Sequence, residues 1–140
     1  VASSQDEIIS GGVVKKYFLN TYIAAKMGMP PTIEEATRPR VMPYPEPGLD
    51  RYEIMRKTGS GIYVTGFNGG NCNPATGDFS YGIEGFRFVD GELAEPVSGM
   101  LVTGNFLELW QKLLYAGDDP RPSMAKLIPT LAFADVDFNG

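Results

Sequence analysis

The fold is decided by residues Gly61 to Asn105, which read GIYVTGFNGGNCNPATGDFSYGIEGFRFVDGELAEPVSGMLVTGN. Two candidate strands, Asp78 to Val89 and Glu92 to Thr103, flank the dipeptide Asp90-Gly91. An Asp-Gly pair between such strands is typical of a two-residue hairpin turn, because both central residues of that turn need positive φ. The stretch therefore predicts two long antiparallel strands, and a further strand at Ile62 to Phe67 precedes them.

Three glycines, Gly82, Gly85 and Gly99, interrupt the predicted hairpin strands. Glycine inside a strand usually marks a bulge, a bend or a close approach of two backbones, so we expect a strongly curved sheet. A capping asparagine, Asn105, then precedes apolar residues at helical spacing. This pattern predicts an amphipathic helix over Asn105 to Ala116 that covers the sheet.

The flanking segments supply shorter elements. Strands are predicted at Val13 to Leu19 and Leu127 to Phe138, the second of them in the same sheet as the hairpin. Helices are predicted at Thr21 to Met27 and Asp50 to Thr58, each ending at a glycine. The sequence thus predicts an α+β fold with a curved, mostly antiparallel sheet, a partial barrel, under a covering amphipathic helix. A length of 140 residues suits a single domain over 1–140.

Composition narrows the classes of partner. The formal net charge of -5 opposes a broad nucleic-acid-binding face, which needs clustered Lys and Arg. No apolar run reaches the ~20 residues that span a bilayer, so no membrane partner is expected. A single cysteine excludes an intrachain disulfide framework, which favours a reducing compartment and a cytoplasmic location.

Metal and acid/base chemistry are limited by the absence of histidine from the whole sequence. Without histidine the chain cannot supply an HExxH-type zinc site or a His general base. Cys72 is interpreted as a packed, inert cysteine, because a nucleophilic thiol normally needs a histidine or a strongly positive setting. The sequence predicts no catalytic residue and no metal ligand, so the chain is not expected to be catalytic by itself.

A glycine- and asparagine-rich loop is predicted over Asn68 to Gly77, NGGNCNPATG. Such residues tolerate left-handed conformations and expose backbone N–H groups, so the loop is a candidate cradle for an anion or a peptide. The plainer interpretation is a long hairpin connection. The candidate peptide-binding residues are Asn68, Gly69, Gly70, Asn71, Cys72 and Asn73. An exposed sheet edge beside this loop could also bind an extended peptide by strand addition, or pair with a second copy of the chain.

Several ordered motifs resemble the C-terminal region of the PmbA/TldD proteins, a family also known as modulators of DNA gyrase. The strongest are NPATGDFSYGIEGF, DGELAEPVSGM and VTGN, and GIYVTGFNGG and VVKKYFLNTYIAAKMG extend the resemblance across most of the chain. Full chains of that family are considerably longer. The resemblance therefore implies that these 140 residues are the final part of a C-terminal domain.

The resemblance also implies a function. TldD-type members look like zinc metallopeptidases, with an HExxxH helix upstream of this region and a further cysteine ligand near the C-terminus. The tail LIPTLAFADVDFNG lacks that cysteine and resembles the PmbA branch, which acts with TldD in processing peptides. We therefore expect a fragment of a PmbA/TldE-like subunit, with a TldD-like partner or a self-dimer and a peptide substrate. Any zinc would lie in the partner or in the upstream region. The alternative is a non-enzymatic peptide-binding or assembly module, and modulation of gyrase is weaker because of the acidic charge.

Overall fold

The computed structural model describes residues 5–140, which form two compact units divided between Pro39 and Arg40. In the first unit, β1 (Ile9–Ser10) and β2 (Val13–Val14) form a small antiparallel hairpin. Helix α1 (Thr21–Met27) follows, and Gly28 ends it in the left-handed conformation with φ 64°. The single-domain expectation for 1–140 stays a prediction.

The strand predicted over Val13 to Leu19 is mostly wrong. Only Val13–Val14 forms a ladder, and Phe18 makes one isolated parallel bridge to Ile33. β-Branched and aromatic residues favour a strand only where a partner backbone pairs with them. Here the partner strand is two residues long, so the rest of the segment has no ladder to join.

The second unit holds the sheet. Helix α2 (Arg51–Thr58) is capped by Asp50, whose side chain accepts a hydrogen bond from the N–H of Glu53. The remaining elements are β3 (Gly61–Cys72), β4 (Asp78–Val89), β5 (Glu92–Asn105), α3 (Phe106–Gln111), β6 (Leu113–Ala116), β7 (Leu131–Phe133) and β8 (Asp137–Asn139). Strands β3, β4, β5 and β8 pair in that order, all antiparallel, and β6 pairs with β7.

The central hairpin is confirmed. Asp90 and Gly91 both have positive φ, 50° and 77°, as the two-residue turn requires. Gly99, with φ 73°, is the extra residue of a bulge, since Ser98 and Met100 face consecutive residues of β4. The α+β class with a mostly antiparallel sheet is likewise confirmed. The sheet is open, with β3 and β8 at its edges, so it does not close into a barrel.

One hydrophobic core cluster lies on a face of this sheet. Phe79, Ile83 and Val102 are buried there. Residues from all four strands and from α3 pack around them, among them Val64, Cys72, Met100, Phe106, Leu109 and Phe138. Helix α3 therefore covers the sheet as predicted, because Phe106 and Leu109 bring its apolar side to the cluster.

Two predicted boundaries are wrong. The helix predicted over Asn105 to Ala116 ends at Gln111, and the residues from Leu113 onward form β6. Ala116 and Tyr44 exchange two backbone hydrogen bonds of 2.9 Å, and these support the extended conformation. The strand predicted over Leu127 to Phe138 is two strands in different sheets, β7 and β8. Between them Asp135 takes positive φ, 49°, which a continuous strand does not allow.

No helix among residues 5–140 is long and apolar enough to cross a membrane.

Candidate peptide-binding edge

Strand β3 is the longest free edge of the sheet. It spans twelve residues, Gly61–Cys72, and pairs only with β4 in the part of the chain that the structure describes. An edge strand presents a row of backbone N–H and C=O groups, and native proteins usually shorten, twist or cover such an edge. An extended peptide can pair with these groups whatever its side chains, so the β3 edge is a candidate binding site.

The predicted site residues lie mostly on this edge rather than in a loop. Asn68, Gly69, Gly70, Asn71 and Cys72 all belong to β3, and only residues 73–77 connect it to β4. The loop predicted over Asn68 to Gly77 is therefore half as long as expected. The ladder continues past Asn68 because glycine removes the side chains that would collide with β4.

A bulge shapes the second half of β3. Asn68 and Gly69 together face Gly82, since Phe67 pairs with Ile83 and Gly70 with Tyr81. A Cβ at Gly82 would lie 2.5 Å from the Asn68 carbonyl oxygen, so only glycine fits there. Gly69 and Gly70 have φ of 71° and 108°, which other residues rarely adopt. The bulge thus depends on glycine in both strands.

The turn at residues 73–77 uses its own backbone donors. The N–H of Asn73 donates to Asp78 and that of Gly77 donates to Asn73, at 2.8 and 2.7 Å. The N–H of Ala75 donates to the Asn73 side chain at 3.0 Å. These three N–H groups already donate hydrogen bonds within the turn. The β3 edge therefore offers a ligand more unpaired backbone N–H and C=O groups than the turn does. Binding by Asn68 to Asn73 remains a prediction.

Asp78 anchors this turn to α3. Asn105 donates from Nδ2 to the Thr76 carbonyl at 2.8 Å and to Asp78 Oδ1 at 3.0 Å. Its Oδ1 accepts from the N–H of Leu107 at 3.0 Å and so caps the helix. Hydrogen bonds from Asn105 and then Thr76 hold the pKa of the Asp78 carboxyl below its ordinary value. Asp78 is thus ionised and has a structural role in this turn.

The first residue of α2 is an arginine that contacts the tyrosine next to it in the sequence. Arg51, the first residue of α2, donates from its guanidinium to the Tyr52 hydroxyl at 2.6 Å and stacks on that ring at 4.7 Å. Hydrogen bonds with the side chains of Tyr52 and then Tyr63 hold the pKa of Arg51 above its ordinary value. No ion pair of Arg51 occurs among residues 5–140. The neighbours Arg51 and Tyr52 are visible in the sequence, but nothing there signals that the Arg51 N–H donates to the Asp119 side chain.

A carboxylate lies farther along the same edge. Glu84 of β4 pairs with Gly66 of β3, and a Cβ at Gly66 would lie 2.7 Å from Glu84 Oε1. Glu84 Oε2 accepts a weak hydrogen bond from Asn68 at 3.4 Å. Gly66 has no side chain, so the Glu84 carboxylate lies over the edge strand. No ion pair of Glu84 occurs within the described residues.

The residues present do not fit a zinc ion. Zinc sites in proteins use histidine, cysteine and carboxylate ligands, and a peptidase site needs three of them. The sequence has no histidine, and Cys72 packs against the core cluster. Across residues 5–140, no group of three or more His, Cys, Asp or Glu side chains is placed to hold a metal.

Comparison with known proteins defines the class. A family model described as the PmbA/TldA metallopeptidase C-terminal domain matches residues 1–140, so this open antiparallel sheet is a metallopeptidase-family C-terminal domain. The solved structure of a candidate modulator of DNA gyrase from Bacteroides thetaiotaomicron superposes with a TM-score of 0.81 and 43% identity, over 100% of this chain and 31% of that one. A candidate modulator from Thermotoga maritima gives a TM-score of 0.84 at 25% identity, over 99% of this chain and 33% of that one.

This chain belongs to the PmbA/TldD family. The metalloprotease PmbA of Escherichia coli O157:H7 is 29% identical over 119 residues, which are 85% of this chain and 26% of that protein. The chain thus spans about a quarter of the curated relative and about a third of each solved structure.

Proposed function

We propose that this chain is the peptide-handling region of a PmbA/TldE-like subunit, which works with a TldD-type zinc metallopeptidase and supplies no zinc ligand of its own. The subunit binds an extended peptide along the edge of β3 and presents it for cleavage. The zinc and its ligands belong to the partner subunit or to an upstream region.

The free edge of β3 is the observation that carries this proposal. A peptidase that processes varied peptides has to bind main chain rather than particular side chains, and strand addition does so. Twelve residues of edge offer pairing to a peptide of comparable length. The bulges at Thr65 and at Asn68-Gly69 interrupt the edge, so the peptide pairs with short stretches on either side of them.

The residue content supports a non-catalytic role for these 140 residues. The chain has no histidine and one packed cysteine, which is a poor donor set for zinc. The E. coli relative carries the PmbA name, and the amino-acid sequence of the C-terminal tail resembles the same branch. Both features favour the subunit that accompanies the zinc enzyme.

The test is a measurement of zinc content and peptidase activity on the intact protein. It is purified alone and with a TldD-type partner, and the partner alone is the matched control. We expect zinc and activity in the complex, and little of either in the intact protein purified alone. Stoichiometric zinc with activity in the intact protein alone would contradict the proposal.

A second candidate function is a non-enzymatic peptide-binding or assembly module, because strand addition at β3 needs no catalytic partner. The same edge could then pair with a second copy of the chain. This candidate predicts peptide affinity with no effect on any protease. It is distinguished by adding the intact protein to the TldD-type partner and measuring the rate of peptide cleavage.

A further inference from the structure

Two neighbouring residues of β3, Gly66 and Phe67, lie between its two bulges. Gly66 pairs with Glu84 and Phe67 pairs with Ile83, and these partners are consecutive residues of β4, so the ladder is regular across this step. Neighbouring residues of a strand point to opposite faces of the sheet. A peptide added to the edge here would therefore present one side chain beside Gly66 on one face and the adjacent side chain beside Phe67 on the other, whichever way the peptide runs.

On the first face the peptide would meet the carboxylate of Glu84. A Cβ at Gly66 would lie 2.7 Å from Glu84 Oε1, so the carboxylate occupies the space that a side chain at Gly66 would fill. An added strand lies roughly 4.8 Å from its neighbour. The four-carbon stem of a lysine can cross that distance, so a basic side chain beside Gly66 would bring its charge to the carboxylate.

The Glu84 carboxylate is available to a cation. It accepts one weak hydrogen bond, from Asn68 at 3.4 Å, and has no ion pair among the described residues. Arg87, the basic residue of β4, is engaged with Glu95 at 3.3 Å. None of the twelve residues of β3 is charged. The edge strand therefore offers no charge of its own that would compete with the ligand for Glu84.

On the opposite face the peptide would meet an aromatic ring. Phe67 is 65% exposed, and its ring meets that of Tyr81 edge-on with 5.8 Å between the centroids. Tyr81 packs against the core cluster, so Phe67 continues the apolar face of the sheet to its edge. An aromatic residue pairs favourably with a β-branched or aromatic residue directly opposite on the neighbouring strand. Phe67 therefore favours such a residue in the peptide.

We propose that Glu84 and Phe67 select peptides in which a basic residue adjoins a β-branched or aromatic one. Glu84 binds the basic side chain on one face of the added strand, and Phe67 packs against the adjacent side chain on the other. The two contacts fix the register, because a shift by one residue would carry the basic side chain to the apolar face. This inference rests on the proposed binding of peptides at the β3 edge and adds the sequence preference of the ligand.

The test compares two peptides on the intact protein by calorimetric titration. One is acetyl-Val-Thr-Lys-Val-Thr-Val, in which a β-branched residue lies on each side of the lysine, and the other has glutamine in place of the lysine. We expect glutamine to weaken binding about fivefold, near the upper limit for an exposed ion pair. In Glu84→Gln this difference should disappear. Glu92→Gln is the matched control, because it removes the same charge at the start of β5, and it should keep the fivefold difference.

Phe67→Ala should weaken both peptides equally, by about threefold, because it removes the apolar pairing and leaves the carboxylate. Unchanged binding in Phe67→Ala would overturn the role of the aromatic ring. Equal affinity of the two peptides for the unmodified protein, or a difference that survives in Glu84→Gln or is lost in Glu92→Gln, would overturn the role of Glu84 while peptide binding stands. If neither peptide binds, or if both bind without protecting β3 amides from hydrogen exchange, the proposed function fails and this inference fails with it.

Discussion

Replacing Gly85 by alanine is expected to force β3 and β4 apart. Gly85 faces Val64 of β3, and its φ is ordinary, so the backbone conformation itself would accept alanine. The added Cβ, however, would overlap the carbonyl oxygen of Tyr63 and lie 3.0 Å from the Val64 Cα. Both obstacles are backbone atoms, which cannot rotate away as a side chain can.

The cost can be worked from this geometry. The added carbon and the backbone oxygen reach van der Waals distance only after the strands separate by roughly an ångström. This separation lengthens the neighbouring hydrogen bonds of the ladder beyond hydrogen-bonding distance. If two or three such bonds near Gly85 are lost at about 1 kcal/mol each, β3 is destabilised by about 3 kcal/mol. Since 1.4 kcal/mol corresponds to a factor of ten, amide protection in β3 should fall about a hundredfold.

The assay is amide hydrogen exchange of the intact protein, followed on peptic fragments that cover β3 and β4. Gly99→Ala is the matched control, because Gly99 has nothing within 4 Å of an added Cβ and only its φ of 73° resists alanine. We expect that control to cost about 1 kcal/mol. Protection of β3 that is unchanged in Gly85→Ala, or reduced no more than in Gly99→Ala, would refute the close approach of the two strands.

Three further predictions concern the turn and the core. Asp78 has a depressed pKa in the folded state, so its stabilising effect is present above the ordinary carboxyl range and is lost as the pH falls through the folded pKa. Asn105→Ala should raise the pKa of Asp78 toward the ordinary value, as read from the NMR titration of its carboxyl carbon. The same substitution should destabilise α3 by about 1 kcal/mol through loss of the cap. Ile83→Ala should cost about 2–5 kcal/mol, because Ile83 is 1% exposed, while Leu107→Ala, at 73% exposed, should stay within about 0.5 kcal/mol.

Specific results would contradict these predictions. An Asp78 titration that does not move in Asn105→Ala would show that the hydrogen bond from Asn105 does not set the pKa. Thermal unfolding of the intact protein checks the core pair. Equal losses in Ile83→Ala and Leu107→Ala would contradict the burial of Ile83 in the core cluster.

Local chemistry explains which elements could be predicted from the sequence. The hairpin at Asp90-Gly91 follows from two residues that accept positive φ, and the start of α2 follows from the cap at Asp50. Each signal acts between residues that are close together in the sequence, so the rest of the fold does not override it.

Longer-range pairing explains the errors. Leu113–Ala116 has an apolar pattern that suits either a helix or a strand, and pairing with β7 decides in favour of the strand. Asn68–Cys72 has the composition of a loop, yet it remains in β3 because Gly70 and Gly82 let the backbones approach closely. The hydrogen bond from the Arg51 N–H to the Asp119 side chain joins residues 68 apart, and no local pattern predicts it.

The most direct test of the account is hydrogen exchange of the intact protein with and without acetyl-Val-Thr-Lys-Val-Thr-Val. Strand addition protects the outward amides of the edge that it joins, so we expect new protection within Gly61–Cys72 and none along the hairpin end of β5, Glu92–Ser98. Gly85→Ala should weaken that protection. Protection elsewhere, or binding without any change in Gly61–Cys72, would contradict the assignment of the β3 edge as the peptide site.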